Sequence, residues 1–217
     1  EGRVADHRSG KVDDRVVALG PVQHGQLVFD PQALGPGDSV VALVGREAQR
    51  ALDENGPSPE ERDRLQGIVD AVEELSHEGP GDVLVFLPGV REIRQVEQAL
   101  GAMPQRQGQE MPIVAPLYGD LSREQQDMAI QPCAAGRRKI VLATSIAETS
   151  LTIEDIRVVV DCGLQRVPRF EMRSGLTRLV TVPVSRASAD QRRGRAGRIG
   201  PGVCLRLWSQ EMHHTLI

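Results

Sequence analysis

Arginine and glutamine side chains crowd into one short segment near the end of the sequence. Gln191, Arg195 and Arg198 are spaced at i, i+4 and i+7, so a helix over this segment would carry them on one face. Guanidinium groups make planar, bidentate contacts with phosphate oxygens. The spacing therefore favours a polyphosphate site. A solvated basic helix face is the alternative, because many basic runs have no more specific role.

Two glycines interrupt the same segment at Gly194 and Gly197. Inside a helix each costs about 1 kcal/mol relative to alanine, so two of them need a reason. A bare strip of backbone allows a neighbouring group to approach closely. We predict a helix over Ser185–Gly197 that presents this strip beside its arginines.

Strand and helix patterns alternate through most of the chain. A helix is predicted after the Ser58-Pro59 start signal, because serine caps it, proline occupies its first position and apolar residues recur at helical spacing. Strict alternation favours an α/β fold with a mostly parallel sheet covered on both faces. The predicted strands are Val83–Leu87, Pro112–Leu117, Ile140–Ala143, Val158–Asp161 and Gly202–Leu207, and further helices cover Arg91–Leu100 and Ser122–Ile130.

The stretch between Leu164 and Val184 departs from this alternation. Two β-rich runs flank Arg173-Ser174-Gly175, a pattern that predicts a β-hairpin with a glycine turn. A simple connecting ribbon is the alternative.

Composition limits the classes of protein that this sequence can belong to. A chain of 217 residues suits one well-cored domain. The net charge is −4, yet residues 137–206 carry 14 Lys and Arg against 6 Asp and Glu, which favours a localised anion site. The three cysteines lack metal-ligand spacing, so no metal site is predicted and a reducing cytoplasm is expected. Neither a membrane span nor a signal-peptide pattern is present.

Three motifs, in this order, resemble the second RecA-like domain of superfamily 2 helicases. Their amino-acid sequences are similar to those of bacterial DEAH-box ATP-dependent RNA helicases. Val83–Gly89 resembles motif IV, Ala143–Ile153 motif V, and Gln191–Arg198 motif VI. The resemblance implies a RecA-like three-layer sandwich with a projecting β-hairpin. We therefore divide the chain into a poorly assigned segment at 1–58, a RecA-like domain at 59–212 and a tail at 213–217.

The resemblance also implies roles for individual residues. Gln191, Arg195 and Arg198 match the motif VI residues that reach the nucleotide phosphates and the attacking water, and the two arginines would act as arginine fingers. Arg192 matches another family arginine and is predicted to bind nucleotide, whereas Arg193 is interpreted as a solvated surface charge.

Motif V and the neighbouring segments supply the remaining predicted contacts. Glu154 falls near the position of a ribose-binding aspartate, and Ile130 occupies the place of an aromatic residue that stacks on adenine. The predicted nucleic-acid ligands would contact the sugar-phosphate backbone without reading sequence. They are Thr144, Ser145, Ser150 and Gly89.

Neither a phosphate-cradling G-x-x-x-x-G-K-[ST] loop nor an Asp-Glu-x-His segment occurs in the sequence. The resemblance therefore implies half of an ATP site, with ATP and Mg²⁺ held mainly by a first RecA-like domain that precedes this chain. A winged-helix region would follow it. The expected partner is RNA, with single-stranded DNA as an alternative. A non-catalytic RNA- or nucleotide-binding module is the competing interpretation, and it would explain the missing loop.

Overall fold

A computed structural model describes residues 39–43, 59–76, 81–103, 110–133, 137–149, 151–173, 175–198 and 200–217. The strands are β1 (Ser39–Leu43), β2 (Asp82–Phe86), β3 (Ile113–Leu117), β4 (Lys139–Ala143), β5 (Ile156–Asp161), β6 (Leu164–Glu171), β7 (Leu176–Pro183) and β8 (Gly202–Arg206). The helices are α1 (Pro59–Ser76), α2 (Val90–Gly101), α3 (Arg123–Ile130), α4 (Ile146–Thr149), α5 (Arg186–Arg193) and α6 (Gln210–Thr215).

A parallel sheet forms the centre of the described part of the chain. Its strand order is β1-β8-β5-β2-β4-β3, and every neighbouring pair is parallel. All carboxyl ends of these strands therefore lie at one edge of the sheet and all amino ends at the other. This arrangement confirms the mostly parallel sheet predicted from the alternation of elements.

Helices cover both faces of the sheet because its strands are apolar on both sides. In β2, Val83 and Val85 pack in a cluster with α1 and α2, whereas Leu84 and Phe86 pack in a second cluster with residues of α3 and α4. Successive side chains of a strand point to opposite faces, so one uninterrupted apolar run serves both clusters. The three layers agree with the predicted α/β fold.

The predicted hairpin is confirmed as a separate two-stranded sheet. Strands β6 and β7 pair antiparallel from Leu164↔Pro183 to Glu171↔Leu176. Gly175 at their turn has φ of 66°, a conformation that suits glycine. Large apolar side chains of the hairpin, including Phe170 and Leu179, are largely exposed, so the hairpin projects from the domain.

Two chain boundaries differ from those predicted. Strand β1 comes from within the segment 1–58 and extends the sheet by pairing with β8. At the other end, α6 runs past residue 212, and buried Leu216 packs in a cluster with Val184 and Trp208. The residues assigned to a tail therefore belong to the fold. The rest of the segment 1–58 lies outside the described residues.

The predicted helix over Ser185–Gly197 is shorter in the structure. Its start is as expected, since the Ser185 side chain caps it by accepting from the Ser188 amide. Helix α5 ends at Arg193, and the chain continues as a tighter turn in which the Arg195 and Ala196 amides donate three residues back. Gly197 follows with φ of 76°. The glycines thus end the helix instead of lying within it.

Candidate functional site

One connection crosses a whole face of the sheet and links its two edges. The loop from Thr144 to Asp155 leaves the carboxyl end of β4 and enters the amino end of β5. Helix α4 and buried Ile153 anchor it on the second apolar cluster. Predicted site residues at its two ends must therefore act at opposite edges of the sheet.

The carboxyl edge holds most of the predicted nucleic-acid ligands. Thr144 is half-buried and its amide donates to the Leu117 carbonyl at 3.2 Å, while Ser145 is exposed. Gly89 follows β2 at the same edge and precedes the first residue of α2. Ser150 lies outside the described residues. The structure therefore gathers Thr144, Ser145 and Gly89 at one edge, and their RNA contacts stay predictions.

The amino edge holds the residues predicted to contact the nucleotide base and sugar. Exposed Glu154 lies just before β5, and half-buried Ile130 ends α3 close to the start of β4. Arg198 lies at the same edge, shortly before β8. Ala196 and Ala129 both belong to the second apolar cluster, so these groups share one face as well as one edge.

The end of α5 presents two polar groups to solvent. Gln191 and Arg198 are both exposed, and the Arg198 Nε donates weakly to the Gly194 carbonyl at 3.4 Å. A turn of 3₁₀ type replaces the continuous helix between them, so the predicted one-face geometry of an unbroken helix is corrected. Both side chains are nevertheless accessible to a ligand from solvent.

Arg195 is buried, in contrast to Arg198. Its Nε donates to the Glu148 carbonyl at 3.0 Å, its Nη1 donates to the Leu151 carbonyl at 2.6 Å, and its Nη2 also donates to Glu148. Burial lowers the pKa of Arg195, and the nearby positive charge of Arg198 lowers it further. The charge of Glu148 acts in the opposite direction. Arg195 therefore holds the crossing loop and lies within reach of the positive charge of Arg198.

Arg192 occupies the interior, which argues against the nucleotide contact predicted for it. Its side chain is 0% exposed, and its Nη1 lies 2.8 Å from the Asp161 carboxylate. Its Nη2 lies 2.6 Å from Glu148 Oε1, and its guanidinium stacks over the Phe86 ring at 4.9 Å. Burial acts to lower the pKa of Arg192, but the charge of Asp161 and Glu148 outweighs it and raises the pKa. Arg192 is thus a buried structural cation.

Arg193 also differs from the solvated charge that the sequence predicted. Its side chain is half-buried and has an interaction partner. Its positive charge acts on the thiol of buried Cys204, whose pKa burial raises to about 12. Arg193 is therefore partly enclosed by the fold and is not a solvated surface charge.

The chemistry of the exposed groups fits a phosphate ligand. A guanidinium at Arg198 and an amide at Gln191 both donate hydrogen bonds, and an anion would relieve the repulsion between Arg195 and Arg198. Among the described residues, no group of three or more His, Cys, Asp or Glu is placed to hold a metal ion. Gln191 and Arg198 therefore suit an anionic phosphate group.

Two charged residues at the site were not predicted from the sequence. Glu148 lies within the predicted motif V and accepts hydrogen bonds from Ser188 and Arg192. Arg166 of β6 lies over Gly89, where an added Cβ would meet its Nη1 at 2.5 Å, and it pairs with Glu92 at 3.2 Å. The sequence did contain a signal for Glu148. A buried arginine needs an acidic partner, and Glu148 is the only carboxylate in the sequence between Ala143 and Ile153.

Comparison with known proteins assigns the class. Residues 65–200 match the family model described as the helicase conserved C-terminal domain. The chain therefore belongs to the helicase C-terminal domain family, and its fold is RecA-like.

Similar proteins narrow this class to DEAH-box helicases of the HrpA/HrpB type. The chain is 49% identical over 155 residues to the ATP-dependent RNA helicase HrpB of Escherichia coli, covering 71% of this chain and 19% of that protein. It is 45% identical over 152 residues to an ATP-dependent RNA helicase HrpA homolog of Haemophilus influenzae, covering 70% and 11%. The crystal structure of the Escherichia coli DEAH/RHA helicase HrpB superposes with a TM-score of 0.63 at 48% identity, over 69% of this chain and 19% of that chain. The chain thus spans less than a quarter of these relatives.

Proposed function

We propose that this chain is the second motor domain of a DEAH-box ATP-dependent RNA helicase. In the whole protein, ATP would bind in a cleft shared with a first RecA-like domain, which would supply the main Mg²⁺ and phosphate ligands. Gln191 and Arg198 would face the phosphates from this side. Arg198 would act as an arginine finger that stabilises charge on the transferred phosphoryl group. A winged-helix region of the same protein is a further proposed partner, and the cytoplasm is the proposed location.

One observation carries this proposal: two cations, Arg195 and Arg198, lie in the turn after helix α5, at the edge of the sheet that also holds Glu154 and Ile130. A polyphosphate bound there would have cationic, polar and apolar groups within one face. Arg195 contributes by holding the crossing loop through two carbonyl groups. We therefore give Arg198 the finger role and Arg195 a positioning role in the conformation described.

RNA would bind at the opposite edge of the sheet. Thr144, Ser145, Ser150 and Gly89 are the proposed ligands, and Arg166, which pairs with Glu92, lies beside Gly89. Hydroxyl and backbone groups read no base sequence, so binding is expected to be independent of sequence and sensitive to salt. Single-stranded DNA is the expected weaker alternative.

ATP hydrolysis by two proteins tests the proposed function: the purified 217-residue chain and the full gene product that contains it. We expect RNA-stimulated turnover only from the full product, because this chain lacks the phosphate-cradling loop. Metal-dependent turnover that stays with the short chain through repeated purification would contradict the proposal. RNA binding by the full product without any ATP turnover would support the competing binding-module function.

A further inference from the structure

The crossing loop is held at its middle by three side chains of the α5 region. Glu148 lies in α4, between the carboxyl edge where Thr144 stands and the amino edge where Glu154 stands. The Ser188 hydroxyl donates to Glu148 Oε2 at 2.6 Å, and the Arg192 Nε donates to Oε1 at 2.7 Å. Arg195 binds the backbone carbonyl of the same residue. Both the carboxylate and the backbone of Glu148 are therefore fixed by one helix and the turn at its end.

The partner of Glu148 is itself fixed on the sheet. Arg192 is fully buried and bridges Glu148 to Asp161, which ends β5 and is 0% exposed. The Asp161 carboxylate also accepts from the Gly163 amide at 2.9 Å. A buried charge that loses its partner is strongly penalised. A shift of α5 would therefore have to carry Glu148 with it or leave charges unpaired.

The loop and α5 are thus joined by these contacts, and different polar groups lie at their two ends. Gln191 and Arg198 lie at the proposed nucleotide side, and Thr144 and Ser145 lie at the proposed RNA side. Glu148 stands at neither end, and its side chain is 11% exposed. Its position suits a group that transmits displacement and does not bind a ligand.

We infer that Glu148 is a positioning residue that couples the nucleotide edge to the RNA edge. Its carboxylate clamps the crossing loop to α5 through Arg192 and Ser188, so that closure of α5 on the nucleotide phosphates repositions the Thr144–Thr149 segment on RNA. This inference rests on the proposed function and adds a residue that contacts neither ATP nor RNA. In such a coupling, ligands at both sites change the position of one shared structural element, here the crossing loop together with α5.

The variant Glu148→Gln tests the coupling in the full gene product, because it keeps the side-chain shape and removes the charge. ATP turnover is measured with and without saturating RNA. We expect the ratio of the two rates to fall about tenfold or more, while the rate without RNA changes less than about threefold. Glu110→Gln is the matched control, since its carboxylate is 78% exposed and pairs with a partly exposed Arg137 at 3.5 Å.

Failure of the coupling role and failure of the proposed function give different results. If folded Glu148→Gln keeps the wild-type ratio, Glu148 has only a structural role and the inference is overturned. If Glu148→Gln does not fold, Ser188→Ala replaces it, because it removes only the 2.6 Å hydroxyl contact. An unchanged ratio in that variant would equally overturn the coupling role, and a lowered ratio would support it. A wild-type protein without RNA-stimulated turnover would instead contradict the proposed function.

Discussion

At the scale of single residues, charges of the same type have different roles according to their burial. Arg192, Arg195 and Arg198 lie within seven positions, yet the first is enclosed by carboxylates, the second binds carbonyl groups and the third reaches solvent. A guanidinium can serve each role because it carries five donors in a rigid plane. Among these three arginines, only Arg198 is accessible enough for direct contact with a phosphate in the conformation described.

Replacement of Arg198 by alanine should lower ATP turnover of the full gene product by about 10² or more, because charge on the phosphoryl group would lose its cation in the transition state. Steady-state ATP hydrolysis at saturating RNA measures this, with circular dichroism to check folding. Arg123→Ala is the control, since Arg123 is exposed at the first position of α3. Equal losses in the two variants would show that the arginines act as a diffuse charge and would remove the finger role.

At the scale of elements, the turn after α5 is seated directly on the first residue of β8. A Cβ added at Gly202 would lie 2.3 Å from the Gly197 amide nitrogen and 2.8 Å from its Cα. These are backbone atoms, so no side chain can rotate away. The close approach brings Arg198 to the sheet edge and explains why the turn and the strand both carry glycine.

The variant Gly202→Ala should therefore lower the free energy of unfolding by roughly 1–3 kcal/mol, the usual cost of overpacking, and should also reduce ATP turnover by displacing the turn. Urea denaturation of the 217-residue chain measures the first effect. Gly67→Ala is the matched control, because an added Cβ there meets nothing within 4 Å and lies inside helix α1. That control should be neutral or stabilising by up to about 1 kcal/mol. A Gly202→Ala chain as stable as the wild type would show that the turn is free to move.

At the scale of the whole molecule, the last helix closes the fold over the start of α5. The His213 ring lies 6.4 Å from the Trp208 ring, and its Nε2 lies 3.4 Å from Arg206 Nη1. Arg206 in turn pairs with Asp190 of α5 at 2.8 Å. Helix α6 is thus tied to α5, the element that carries Gln191.

None of the described helices has the length and apolar character of a membrane span.

Acidification should destabilise the chain through His213. Burial lowers the pKa of His213 below its usual 6.5, with help from the positive charges of Arg206, Arg186 and His214 and against the charge of Asp190. Below pH 6.5 the unfolded chain then binds a proton that the folded chain binds less readily, so stability falls as the pH drops from 6.5 toward the folded pKa. Urea denaturation at about pH 7.5 and about pH 5.5 should show a larger loss for the wild type than for His213→Gln. Equal losses would mean that His213 titrates normally in the folded protein.

Local patterns in the sequence determined the elements and the family of this protein. Apolar runs, start signals such as Ser185, and the turn glycine Gly175 act over a few neighbouring residues, so strands, helix starts and the hairpin could be predicted from them. The order and amino-acid sequences of three motifs were enough to indicate a DEAH-box helicase domain.

Only the tertiary structure decided which of the predicted site residues face a ligand. Three features depend on elements that meet only after folding. They are the burial of Arg192, its bridge from Glu148 to Asp161 across 13 positions of chain, and the close contact between Gly197 and Gly202. Helix periodicity could not place Arg195 or Arg198, because α5 ends at Arg193 and a glycine turn then redirects the chain. The division into an RNA edge and a nucleotide edge likewise results from parallel strand pairing, which no single segment of sequence encodes.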